Sequence, residues 1–221
     1  MGQLRRRQFL IAAGALLAGA PNFSRARPRL YGSGLPSPAI ELTYESVELL
    51  RQFLPRVQRV GLMHNPDSPA DPLQVRQSLR LAEKIGVRFM PVGVRRGDDV
   101  EPAFGTLSAE RADAVIVPAN LWFAGFHGRV VEQAAASRLP ALYGATGFAE
   151  AGGLVSVSPN RPDQHWRAAM DVARILKGAR PAELPVDQPT NFELVVNLKT
   201  AKTLGLVIPQ ELLLRADRVI E

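Results

Sequence analysis

Between residue 42 and about residue 157, short apolar runs alternate with segments whose apolar residues recur at helical spacing. That is the pattern of a parallel sheet flanked by helices. Strands are predicted at 57–63, 87–94, 114–117 and 139–143. Ala114-Val115-Ile116-Val117 does not alternate, as expected of a central strand covered on both faces. Helices are predicted between the strands. Leu42, Leu49, Leu50 and Phe53 share one face of a helix stopped by Pro55, and Val75, Leu79, Ala82 and Ile85 share a face of another stopped by Gly86. Asp98 is placed to cap a helix reaching Arg111, and Phe123, Val130 and Ala134 mark the inner face of a further one.

The pattern changes after Gly152-Gly153. A long helix carrying Trp166, Met170, Ala173 and Leu176 on one face leads into an extended stretch, 178–189, and then a strand at 191–196. Asn197 can cap a helix that Gly205 ends, and Pro209 suits the first turn of a last short one. The fold class predicted is α/β, a doubly wound parallel sheet.

Charge is informative through its position. The formal net charge of +6 and pI near 10.3 would point to nucleic acid or an anionic membrane. Yet Arg5, Arg6, Arg7, Arg25, Arg27 and Arg29 supply that excess, and from Leu30 onward the chain is neutral. No nucleic-acid partner is therefore expected. The basic residues flank an uncharged apolar run at 11–20, about half the length that spans a bilayer. Arg6-Arg7-Gln8-Phe9-Leu10 is similar to a twin-arginine export signal, and Ala18-Gly19-Ala20 or Ser24-Arg25-Ala26 offers small residues for cleavage. Residues 1–26 are read as a signal peptide and the protein as periplasmic, an uncleaved anchor being the alternative. Residues 27–41, rich in Pro, Gly and Ser, are read as a linker. The absence of cysteine excludes disulfides and thiolate chemistry.

Open α/β sheets bind ligands beyond the carboxyl ends of their strands. The loops there read His64-Asn65-Pro66-Asp67, Arg95-Arg96-Gly97-Asp98, Pro118-Ala119-Asn120 and Tyr143-Gly144-Ala145-Thr146. Their amides, backbone groups and short polar side chains suit hydrogen bonding to a small polar solute. Asn65, Pro66, Asn120, Trp122, Tyr143 and Gly144 are the candidate ligand-binding residues, although Asn-Pro and Pro-Ala-Asn also serve as plain turn formers. His64, His127 and His165 have neither zinc-ligand spacing nor a neighbouring Glu of the HExxH kind, and no phosphate-binding glycine loop or Gly-x-Ser-x-Gly occurs. Neither a catalytic residue, a metal nor a cofactor is expected. Asp98-Asp99 reads as helix capping and Arg95-Arg96 as a solvated surface.

The end of the chain carries a resemblance. The stretch from Ile175-Leu176-Lys177-Gly178 through Asn191-Phe192-Glu193-Leu194-Val195-Val196-Asn197-Leu198, continued by Leu204-Gly205-Leu206-Val207-Ile208-Pro209, resembles the tail of the ABC transporter substrate-binding family, which includes tryptophan-type receptors. Leu54-Pro55-Arg56-Val57, Asn65-Pro66, Glu110-Arg111-Ala112-Asp113-Ala114 and Leu139-Pro140-Ala141-Leu142-Tyr143-Gly144 are also similar to it. The resemblance implies a periplasmic-binding-protein fold of two lobes closing on a small solute, possession of no enzymatic activity, and delivery to an ABC permease in the inner membrane. Against that pattern the first lobe is largely missing. Residues 42–157 would form one solute-binding lobe, and 158–221 a crossover and C-terminal segment packing on the absent lobe, so that Trp166, Met170, Phe192 and Leu194 lack a partner. A degenerate fragment, a repacked chain, or a partner subunit or dimer covering the gap would each follow; the first is the reading adopted. A sensory module reporting ligand occupancy to a membrane partner is the alternative function, and an α/β enzyme a more distant one.

Overall fold

The computed structural model describes residues 38–180, 184 and 192–221. The expected signal peptide (1–26) and most of the expected 27–41 linker and of the extended 178–189 stretch lie outside the described residues; 38–41, read as linker, instead open a helix.

Apolar runs became strands where expected: β1 (Arg59–His64), β2 (Arg88–Gly93), β3 (Ala114–Val117) and β4 (Ala141–Tyr143). Three strands follow: β5 (Val155–Pro159), β6 (Phe192–Asn197) and β7 (Arg218–Ile220). All seven form one sheet in the order β2-β1-β3-β4-β5-β6-β7, with β6 antiparallel to β5 and the other pairs parallel. Every residue of β3 is buried, which accounts for its unbroken apolar run.

Helices cover both faces. Helix α1 (Pro38–Phe53) packs Val47, Leu50 and Phe53 against Val60, Leu62, Ile116 and Leu142. Helix α2 (Asp71–Ile85) adds Ala82 to this layer, and α8 (Leu198–Leu204) and α9 (Gln210–Arg215) add Ala201 and Leu212. The opposite layer holds α3 (Val100–Ala109), α4 (Leu121–Ala124), α5 (His127–Ala136) and α6 (Thr146–Glu150) over Met63, Val115, Val117 and Tyr143. Fully burying each such side chain contributes roughly 1.5–3 kcal/mol. The sheet is thus doubly wound.

The helix stops follow from glycine chemistry. Gly86 and Gly205 end α2 and α8 at φ of 68° and 72°, where a side chain is disfavoured. Asn197 caps α8, its side-chain oxygen accepting the Thr200 N–H at 3.1 Å. At α3 the expectation needs correction. Asp99, not Asp98, secures the turn at the helix start by accepting the N–H groups of Arg95 and Arg96 at 2.8 and 3.1 Å. Asp98 instead accepts a 2.6 Å hydrogen bond from Arg129 on α5, and that bond and charge hold its carboxyl below the usual range. The single helix expected around Phe123 and Val130 is two, α4 and α5, and Pro209 stands just before α9 rather than in its first turn.

Beyond residue 158 the segments behave differently. Phe192 and Leu194 do find apolar neighbours, because β6 pairs with β5 and its apolar residues pack on the α1 side. Helix α7 (Arg161–Leu176) does not: Trp166 is 67% exposed, Met170 42% and Leu176 82%. Trp122, the other of the two tryptophans, is 45% exposed. Intrinsic fluorescence of the isolated protein should therefore be red-shifted and quenched by iodide in both indoles. A blue-shifted, iodide-resistant component would show that one of them is covered.

Candidate functional site

The order β2-β1-β3-β4 places β1 between the two strands that follow it, so chain connections leave β1 and β3 in opposite directions. Helix α2, after β1, lies on one face; α4 and α5, after β3, lie on the other. In this architecture ligands bind at such a switch point, beyond the carboxyl ends of the strands. Asn65-Pro66 follow β1 there and Pro118-Ala119-Asn120 follow β3.

The structure brings the backbones of all six predicted residues to this edge and assigns their side chains different tasks. Asn65 is buried, and its side-chain oxygen accepts the Asp67 N–H at 3.1 Å, closing the turn after β1. Pro66 leans over the end of β2, where a Cβ added to Gly93 would meet its Cγ at 2.7 Å. Asn120 caps α4 by accepting the Trp122 N–H at 2.9 Å. Trp122 keeps much of its indole in solvent.

Tyr143 is only 1% exposed, its ring stacked on Phe148 at 4.7 Å in the α5–α6 core. Strand alternation explains this. Leu142 faces one helical layer and Tyr143 the other, so both are interior, and burial pushes the phenol well above its ordinary pKa. Tyr143 offers the edge its backbone alone. Gly144 donates its N–H to Val117 at 2.8 Å and lies so close to the next loop that a Cβ there would fall on the backbone N and Cα of Ala119.

Sequence reasoning missed two features. His64 Nδ1 lies 2.9 and 3.0 Å from the carboxylate oxygens of Asp71, which opens α2, so this pair ties the end of β1 to the following helix. The signal was an Asp seven residues on, at the first helical position. Strand β5 was missed as well, although Val155-Ser156-Val157-Ser158 has period two; both serines prove buried. No cluster of three or more potential metal ligands occurs among the described residues. The edge is built from turns, amides, the His64–Asp71 pair and an exposed aromatic ring.

Such an edge on a doubly wound sheet is where α/β proteins of this architecture receive ligands. Residues 37–220 match the family model described as ABC transporter substrate binding protein. The chain belongs to that family, whose members are solute-binding proteins and not enzymes. A solved structure of the ABC domain in complex with L-Trp from Streptococcus pneumonia is 29% identical, with a TM-score of 0.71 over 80% of this chain and 62% of that one. A conserved domain protein from Vibrio cholerae is 27% identical, with a TM-score of 0.72 over 83% of this chain and 60% of that one. A curated relative, the tyrosine-binding protein of Clostridioides difficile strain R20291, is 20% identical over 162 residues, which is 73% of this chain. This chain spans 47% of that relative's length.

Two outcomes test the edge. Gly144→Ala forces the β3 and β4 loops apart and should destabilise the protein by about 3 kcal/mol or more, read from denaturant midpoints; a change near zero would mean that the loops separate freely. The second concerns Tyr143. A folded-state pKa above the unfolded value gives stability that is complete below about pH 10 and lost as pH rises through the folded value. Absorbance at alkaline pH should then show one of the three tyrosines ionising only as the far-ultraviolet circular dichroism collapses.

Proposed function

We propose that this chain is the solute-receiving component of an ABC-type uptake system, binding a small zwitterionic molecule of the aromatic amino-acid class at the β1–β3–β4 edge. The switch-point geometry carries the reading: hydrogen-bonding loops stand over a rigid sheet beside the exposed indole of Trp122. The names of two relatives support the solute class, one solved with L-Trp and one described as tyrosine-binding. Binding takes place in the periplasm after export through residues 1–26, and the solute passes to an ABC permease of the inner membrane. None of the helices formed by the described residues is long and apolar enough to cross a membrane, which is compatible with that route.

Because the chain spans about half the length of the curated relative, we take the edge as one wall of the cleft. Residues 42–157 supply it. The facing wall comes from a further lobe or a partner subunit seated on the exposed side of α7, which extends from the end of β5.

Thermal-shift assays with L-tryptophan, L-tyrosine and glucose test the reading. A ligand at about one hundred times its Kd adds about 2.7 kcal/mol to folded-state stability, which for a protein of this size raises Tm by roughly 5–10 °C. The amino acids are expected to give such a rise and glucose none. Equal response to all three, or no response, would overturn it.

A further inference from the structure

We infer that Ser158 on β5 and Glu193 on β6 form the subsite for the positively charged amino group of the solute, with Ser156 directly behind. The inference rests on the solute-binding reading and adds the chemistry of one contact.

The alternation of β5 is the starting point. Val155 and Val157 pack into the core on the α1 side, so Ser156 and Ser158 turn to the opposite face. Both are buried, at 0% and 7% exposure. The Ser156 hydroxyl has no hydrogen-bond partner, and among the described residues none reaches Ser158. Native folds pair nearly all their buried polar atoms, so the unmet hydroxyl of Ser156, beside Ser158 on the same face, calls for a partner.

Glu193 supplies the charge. It stands directly opposite Ser158 in the antiparallel register, and such pairs project on the same face of the sheet. Its side chain is half-buried and makes no hydrogen bond or ion pair among the described residues. A carboxylate only accepts, and a hydroxyl can accept as well. Two acceptors side by side, one of them anionic, match an alkylammonium group, which brings three N–H donors and a positive charge.

Position agrees with chemistry. The pair lies next to the Pro159–Phe192 end of the β5–β6 ladder, on the side of the sheet where β4 ends at Tyr143. Two strand spacings separate β5 from β3, about 10 Å. An aromatic amino acid with its ring toward Trp122 spans that distance and sets its amino group at Ser158, with Glu193 on the adjoining strand beside it.

Calorimetric and thermal-shift titrations of wild type, Ser158→Ala and Glu193→Gln with L-tryptophan and indole-3-propionate, which lacks the amino group, decide the matter. Wild type should prefer the amino acid by about tenfold or more, and Glu193→Gln should bring the two ligands to within roughly threefold. Ser158→Ala should weaken the amino acid by about fivefold while leaving the ligand-free Tm equal or higher, because its hydroxyl has no partner in the free protein. A lowered ligand-free Tm in Ser158→Ala would identify the hydroxyl as structural and overturn the subsite without reference to any ligand. An unchanged preference in Glu193→Gln overturns the subsite and leaves solute binding standing. No response of wild type to the amino acid overturns both.

Discussion

Burial of β3 on both faces is the constraint from which the candidate edge follows. Ala114, Val115, Ile116 and Val117 are each at most 2% exposed, and a strand with apolar side chains on both faces must have helices on both. That requirement divides the helices into two layers and sends the connections after β1 and β3 to opposite sides. The switch point between those connections is a by-product of covering the sheet. No residue at the edge has to create it.

The edge residues fix its shape instead. Asn65 and Asn120 use their side-chain oxygens to close turns, at 3.1 and 2.9 Å, so the chain directions after β1 and β3 are set before any solute arrives. Gly144 permits the β3 and β4 loops to touch, and Tyr143 anchors the end of β4 from below through its stacked ring. Preorganisation of this kind lowers the ordering cost of binding. It also means that a residue can matter to the site without touching the solute.

Features that depend on local chemistry could be read from the sequence. Gly86 and Gly205 each follow an amphipathic run and adopt the left-handed conformation that their position calls for, and Asn197 caps the helix it precedes. The unbroken apolar run of β3 announced its burial. Features that depend on which of two similar residues meets a distant partner could not be read. Asp98 and Asp99 are adjacent and chemically alike, and only the placement of Arg129 on α5 separates their roles. Tyr143 reads in the sequence as a ligand-binding candidate although its side chain is interior, because strand parity gives its direction only once both faces of the sheet are known to be covered. In β5, alternating serines suggest a face turned to water, whereas both serines are buried. At the candidate site the loops were legible and the side-chain directions were not.

The places where pattern and burial disagree are where function is best sought, since a fold selected for stability alone would remove them. Replacing Ser156 by valine would continue the Val155–Val157 run on the second face and remove the unmet buried hydroxyl. Trp166, Met170 and Leu176 would likewise be polar on a helix meant for solvent alone. Asn160 is the single residue between the end of β5 and the start of α7. An unmet buried hydroxyl on the strand and an exposed apolar face on the helix are therefore neighbours in one continuous segment. Any body that covers α7 is held at a short, fixed distance from the serine–glutamate pair. On the proposed reading, occupancy of that pair and coverage of the helix would act through one short segment, as a closing cleft requires.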